Sequence, residues 1–475
     1  MEILAYINLI FAIVIVFFQR KDPKSVWGWL LILYFVPVLG FMFYILVGTD
    51  MHKAKMFRTK EIEDKLSDAI RRQEASIKNK EFTAGELQMA HYSDVVLYNL
   101  QTAGAILSDD NEVQIITDGK EKFKQLFADL ESAEHSIHIQ YYIIKNDEIF
   151  AEMKEILLKK AKAGVEVRIL FDAMGCRSFR KKEWKSLKEA GIEVAEFFPA
   201  LFGRLQLRIN YRNHRKIVVI DGKVGYVGGF NVAREYIGAD KKFGYWRDTH
   251  MRITGSAVQA LQGRFILDFN YACREHTLSF DPYIALPEGA PKKGIPVQII
   301  SSGPDTYHKS IRDTYLTLIH KAKKSIYIQT PYFIPDEAIL AALMVAVQSG
   351  IEVNIMIPCK PDHPFVYWAT YSYVGELVMA GANCYTYENG FLHAKGVVID
   401  EEVFCYGTAN MDIRSFALNF EVNAIVYDKQ KAAEMTGYFM EDLKVCKKIT
   451  KNKYLSRPVW MRFKEQVCRL FSPVL

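Results

Sequence analysis

The chain is 475 residues long, half of them hydrophobic and 24% charged, with a formal net charge of +6. That length accommodates two or three domains with sizeable cores, and the apolar and aromatic content excludes a largely disordered chain. The seven cysteines, at 176, 273, 359, 384, 405, 446 and 468, form no CxxC pair and no Cys/His cluster at zinc spacing, so reduced thiols and neither a disulfide framework nor a structural metal are expected.

The chain opens with two uncharged runs, sixteen residues over 3–18 and twenty-two over 26–47. A spanning helix needs about 20 apolar residues, so the second run qualifies and the first does so if its flanks adjust. Trp27, Trp29 and Tyr44 fall near the ends of the second run, where amphipathic rings favour the headgroup region. A cleaved signal peptide is disfavoured by acidic Glu2 and by the lack of a small-residue cleavage site. Two buried core helices are disfavoured because no polar face interrupts either run. The turn Arg20-Lys21-Asp22-Pro23-Lys24 between the runs makes a hairpin that returns the chain to its starting side. The basic residues after the second run lean toward a cytoplasmic catalytic portion.

Residues 51–110 read as a charged helical connector. Beyond them a β/α pattern occurs twice. Val113-Gln-Ile-Ile116 is echoed by Val297-Gln-Ile-Ile300, Ser136-Ile-His-Ile-Gln140 by Ser325-Ile-Tyr-Ile-Gln329, and Gly164-Val-Glu-Val167 by Gly350-Ile-Glu-Val353. Short apolar runs alternating with helical stretches predict α/β layers around a buried sheet. The Pro/Gly-rich stretch 282–296 divides the pattern, placing one half over 111–285 and the other over 286–475. The first half carries an extra stretch around 198–211, expected to be a loop near the active site.

Each half holds a histidine, a lysine two residues on and an aspartate five further: His214, Lys216 and Asp221, then His393, Lys395 and Asp400. Gly228, Gly229 and Asn231 match Gly407, Thr408 and Asn410, and every matched pair is 179 residues apart. A lone His-x-Lys is usually a solvated strand, but two copies in register with glycines and asparagines indicate duplicated chemistry. On a strand, residues two apart share a face. Folding the halves face to face would gather two histidines, two lysines and two asparagines in one cleft. Lysines and amides there neutralise and hydrogen-bond phosphodiester oxygens, while one imidazole attacks phosphorus and the other protonates the leaving alcohol. Asp248 and Glu421 are candidates to orient the imidazoles. Asp221 and Asp400, at turns, are expected to hold the loop or the lysine rather than touch substrate.

These paired motifs resemble the phospholipase D superfamily. Three further features resemble its bacterial cardiolipin synthases: the hydrophobic hairpin with Trp27-Gly-Trp29 and Pro37-x-x-Gly40, the run Phe391-Leu-His-Ala-Lys395, and Asn410-x-Asp412-x-Arg414-Ser-Phe416 leading to Asn419-Phe-Glu421. The resemblance implies two similar α/β/α sandwich halves packed face to face behind a transmembrane hairpin (1–50), in a cell membrane. It implies phosphatidyl transfer from one phosphatidylglycerol to another through a phosphatidyl-histidine, releasing glycerol and needing no cofactor or metal. His214 is then the expected nucleophile and His393 the acid/base.

Two features stand apart from the motifs. The basic run 177–188 is either a solvated helix face or an attachment to anionic headgroups. The stretch 458–471 aligns Val459, Phe463, Val467 and Leu470 on one helical face, expected to cover the core of the second half, with an interfacial helix as the alternative. Rival functions are a phospholipase D hydrolase, a transferase using another alcohol or phosphatidylethanolamine, a nuclease of the same superfamily, and a non-catalytic membrane scaffold. The hairpin and the lack of an aromatic-interleaved basic groove argue against nucleic acid, and the intact His/Lys pairs against a scaffold.

Overall fold

A computed structural model of the protein describes residues 90–472 apart from 180, 200–209, 274, 284–292 and 361, with scattered positions before residue 90. The expected hairpin over 1–50 and connector over 51–110 therefore lie mostly outside the described residues. So do the tip of the loop around 198–211 and Arg180 of the basic run. Within the first stretch, Pro23–Phe35 is helical, opening on a proline whose missing N–H costs nothing at a first helical turn. Among the described residues no helix is long and apolar enough to cross a membrane.

The duplication read from the sequence is a duplication of topology. In the first half the strand order is Leu107–Ile116, His250–Thr254, Val224–Gly228, Ile217–Ile220, Ser136–Tyr141, Glu166–Asp172 and Glu193–Phe197. In the second it is Ile295–Ser302, Asn419–Val426, Val403–Gly407, Gly396–Ile399, Ser325–Gln329, Glu352–Pro358 and Asn383–Tyr387. The registers match as well. Ser136 lies opposite Glu166 in a parallel pair, as Ser325 does opposite Glu352, and Ile137 opposes Ile220 antiparallel, as Ile326 opposes Ile399.

Burial on both faces explains the unbroken apolar runs. Along Ile217–Ile220, Ile217 and Val219 enter one apolar cluster while Val218 and Ile220 enter another, each fully buried side chain contributing about 1.5–3 kcal/mol. The helices Gly119–Ser132, Glu148–Lys162 and Lys181–Glu189 cover the outer face of the first sheet. Ser310–Lys321, Glu337–Gln348 and Pro364–Ala380 do the same for the second. Asp118, Asp147, Asp336 and Asp428 cap the helices that follow them, accepting from backbone N–H groups that lack a partner within the helix. All seven cysteines are free thiols.

Face-to-face packing is only part of how the halves meet. Ile217 and Val227 of one half share a core with Val398, Phe404 and Val422 of the other. The halves are also joined edge to edge, because Leu107 and Ser108 pair antiparallel with Gln298 and Val297, making one 16-stranded sheet among the described residues. This seam satisfies backbone groups that an open edge strand would leave exposed.

The C-terminal helix Val459–Leu470 overturns an expectation. It packs along Pro364–Ala380, but Val459, Phe463 and Leu470 are exposed and the buried side chains are Glu465 and Cys468. The reason is electrostatic. Arg457 forms a two-armed ion pair with Glu465, at 2.7 and 2.8 Å, and Arg469 pairs with Glu376. These contacts turn the Glu465 and Cys468 side of the helix inward.

Candidate active site

His214 and Lys216 do not sit on a regular strand, as expected, but in an extended link between two. Upstream, Arg212–Asn213 pairs in parallel with Asn419–Phe420 of the second half; downstream lies Ile217–Ile220 of their own sheet. The second motif repeats this, with Phe391–Leu392 paired to Trp246–Arg247 of the first half and Gly396–Ile399 following. The backbone N–H of His214 donates to Phe420 O at 2.9 Å and that of His393 to Arg247 O at 2.7 Å. Each motif is thus bonded on one side to its own half and on the other to the opposite half.

The acids are exchanged between halves in the same way. Nδ1 of His214 lies 3.0 Å from Glu421 Oε2 and 3.2 Å from the Thr408 carbonyl. Two acceptors at one nitrogen hold the proton on Nδ1 and leave the Nε2 lone pair free. Nδ1 of His393 lies 2.5 Å from Asp248 Oδ2. Lys395 Nζ is 2.8 Å from the same nitrogen, and the shorter carboxylate contact sets the tautomer. The Tyr142 ring packs edge-on to His214 at 4.9 Å, and Trp246 packs against His393 at 5.0 Å.

Burial dominates the protonation of the site. It lowers the pKa of Lys216 to about 7, Glu421 opposing and Lys395 assisting. Lys395 is lowered to about 8 by the same cause, Asp248 opposing. His393 falls to about 4, from burial and then Lys395, and His214 is also lowered, by burial with Lys216 and Lys395 contributing. For Asp248 and Glu421 burial pushes upward, but the facing lysine and histidine outweigh it and hold both carboxyls below their ordinary values. Lys395 acts on His214, and Lys216 acts on His393. The histidines and lysines of the two motifs therefore occupy one electrostatic neighbourhood.

The aspartates of the motifs stand apart from it. Asp221 accepts from the backbone N–H groups of Glu134, His135 and Ser136 at 2.7–2.8 Å, and Asp400 from Lys323, Lys324 and Ser325 at 2.7–2.8 Å. Both adopt left-handed backbone, φ 52° and 53°, and pin the loop ahead of the strand beside each motif. They are not placed to touch a substrate, which removes them from the catalytic set the motif suggests.

Gly229 and Gly407 serve close approach. A Cβ on Gly229 would lie 2.0 Å from Asp248 Oδ1, and one on Gly407 2.4 Å from Asn423 Oδ1. Gly228 passes equally close to His250. Thr408 donates its hydroxyl to Glu421 Oε2 at 2.5 Å. Asn231 is spent on structure, accepting from Ile143 N at 3.1 Å and donating to Tyr236 OH at 2.8 Å. Asn410 is buried and bonds Asp412, while its Oδ1 has no partner among the described residues.

Sequence reasoning missed two buried arginines. Arg215, inside the first motif, pairs with Asp268 at 2.6 Å and donates to the Glu421 carbonyl at 3.1 Å. Arg247 pairs with Asp442 at 2.9 Å and donates to the Asp248 carbonyl. Their adjacency to a candidate site residue, His214 or Asp248, was the only available signal.

A family model described as "Cardiolipin synthase, PLD-like domain" matches residues 126–244 and 315–443, and one described as "Phospholipase_D-nuclease N-terminal" matches residues 7–48. The chain is 49% identical over 473 residues to the major cardiolipin synthase ClsA of Bacillus subtilis (strain 168), covering 99% of this chain and 97% of the relative. It is 48% identical over 471 residues to a cardiolipin synthase of Staphylococcus aureus (strain Mu50 / ATCC 700699), covering 99% and 95%. Among solved structures, phosphatidylserine synthase of Haemophilus influenzae Rd KW20 superposes with a TM-score of 0.62 at 13% identity, over 81% of this chain and 100% of that one. That likeness concerns the fold. With both motifs, their exchanged acids and these relatives in hand, the chain belongs to the family of phospholipase D-like cardiolipin synthases.

Proposed function

We propose that the protein synthesises cardiolipin at a membrane, joining two phosphatidylglycerols with release of glycerol. The observation that carries this reading is the pair of imidazoles, each held by a buried carboxylate from the opposite half and flanked by both lysines. His214 Nε2 attacks the phosphorus of the first phosphatidylglycerol, and the P–O bond to glycerol breaks. His393 supplies the proton to the departing oxygen, leaving a phosphatidyl group on His214. The terminal hydroxyl of a second phosphatidylglycerol then gives its proton to His393 and attacks phosphorus, and the P–N bond breaks. One phosphodiester replaces another, so no nucleotide is consumed.

The protonation of the site suits an anionic substrate. Burial and two ammonium groups keep His393 neutral in the free site. A phosphodiester between the lysines supplies negative charge that restores the proton affinity of the imidazole when an acid is needed. The lysines do the work a metal often does, offsetting charge on the non-bridging oxygens. We place the catalytic portion, both halves together, on the cytoplasmic side from the charge asymmetry of the N-terminal segment.

The test follows purified protein in micelles with labelled phosphatidylglycerol. Cardiolipin and glycerol are expected in equal amounts, undiminished by EDTA. Phosphatidic acid as the main product would replace this reading with a hydrolase. In native enzyme quenched during turnover an acid-labile phosphatidyl label is expected on His214, and a label on His393 instead would reverse the roles.

A further inference from the structure

The C-terminal helix turns large apolar side chains to the outside although its neighbours offered a core. Val459 is 80% exposed, Trp460 62%, Phe463 56% and Leu470 80%. The patch extends onto the helix Pro364–Ala380, where Phe365 is 59% exposed and its ring lies 6.5 Å from that of Phe471. Trp460 and Phe463 stack at 5.3 Å, and Lys464 Nζ lies 5.3 Å from the Trp368 ring and 5.4 Å from Trp460. Between 451 and 471 there are six Lys or Arg and one acid, Glu465, which is buried in its pair with Arg457. Cations beside exposed Trp and Phe match the headgroup boundary of an anionic bilayer, where rings reach the acyl region and ammonium groups meet phosphate.

The patch is also continuous with the active site. Tyr332 donates to the Asp362 carboxylate, two residues before the helix Pro364–Ala380 begins. Phe333–Ile334 pairs with Met411–Asp412, directly after Asn410. Asp362 and Asp412 both contribute to the potential at Lys395. The start of the helix Pro364–Ala380 therefore borders the active site, and the C-terminal helix packs along that helix.

We propose that Val459, Trp460, Phe463, Leu470 and Phe471, with Phe365, form a bilayer-docking face that seats the active site against an anionic lipid surface. It rests on the reading that the substrate is a phospholipid: a lipid whose phosphodiester sits between the lysines leaves its acyl chains in the bilayer this face enters. The face works separately from the N-terminal segment, as a second contact that sets the orientation of the catalytic halves.

The test uses the full chain in phosphatidylglycerol vesicles whose acyl chains carry bromine, a contact quencher of tryptophan. The emission lost on Trp460→Phe, which isolates that residue, is expected to be quenched at least about twofold relative to unbrominated vesicles. Unquenched Trp460, as when a second copy or water covers the face, overturns the proposal. A Phe463→Glu, Leu470→Glu double variant is expected to raise KM for vesicle substrate about fivefold or more while turnover of monomeric short-chain phosphatidylglycerol stays unchanged. An unaltered vesicle KM also overturns it. Quenching needs no turnover, so docking and the assignment of the reaction fail separately.

Discussion

The two halves solve one problem with residues from different places in the chain. Each imidazole needs its acid held still, and each acid has its backbone carbonyl gripped by a buried guanidinium paired to an aspartate on an inner helix. For Glu421 the guanidinium is Arg215, paired to Asp268 on the helix Ala257–Ala272; for Asp248 it is Arg247, paired to Asp442 on the helix Lys429–Leu443. Gln140 and Gln329, matched residues of the repeat, donate to the two aspartates at 2.6 and 2.8 Å. Yet Arg215 follows a motif histidine, whereas Arg247 precedes an acid, and the position matching Arg215 in the second motif is Ala394. The halves keep a charge at equivalent points in space while its place in the sequence moves. Positioning chemistry is a property of volume and potential, so pseudo-symmetry survives where residue alignment does not.

The equivalence can be broken in order of effect. Glu421→Gln and Asp248→Asn remove the carboxylates that hold the imidazole tautomers, and turnover is expected to fall about 10²–10³-fold in each. If only one variant falls, the two imidazoles are not equally dependent on their acids. Arg215→Met strands Asp268, and Arg247→Met strands Asp442. Each should cost about 3–5 kcal/mol in denaturant unfolding. Adding Asp268→Leu or Asp442→Leu to the respective variant should restore most of it, and failure of either rescue would show the ion pairs are not equivalent.

The lysines give a smaller effect with a definite sign. The pKa of Lys216 is about 7 in the folded protein against about 10.4 in an unfolded chain. Between these pH values the unfolded chain binds more protons, so this residue makes stability rise with pH. Lys216→Met should add about 1–3 kcal/mol at pH 7 while abolishing turnover. In the native enzyme, kcat/KM should decline as pH rises through about 7 and then 8, as Lys216 and Lys395 lose their charge. A flat profile from pH 6 to 9 would refute the role of these ammonium groups. Smallest of all, Asp221→Asn and Asp400→Asn keep a residue type tolerant of left-handed backbone but weaken three charge-assisted bonds. About 1 kcal/mol of stability should go, with turnover of the folded enzyme intact.

Ile217–Ile220 and Gly396–Ile399 were readable as strands because both faces are buried and nothing polar interrupts them. The C-terminal helix was misread for a related reason. Periodicity reports that Val459, Phe463 and Leu470 share a face, but not whether that face meets protein. Arg457 with Glu465, eight residues apart, and Arg469 with Glu376, on a different helix, decided the matter by charge pairing that helical periodicity does not record.

What the sequence alone determined is the duplicated β/α pattern and the identity of the histidines and lysines, since strand periodicity and motif spacing are local and written along the chain. The exchange of acids between halves, the edge seam at Leu107 and Gln298, and the two arginine anchors were decided by tertiary structure, which also supplied the backbone partners of Asp221 and Asp400. Their physical reason is common. Hydrogen bonds and buried charges are satisfied by whatever group folding brings within about 3 Å, and that neighbour can lie on the other side of the molecule.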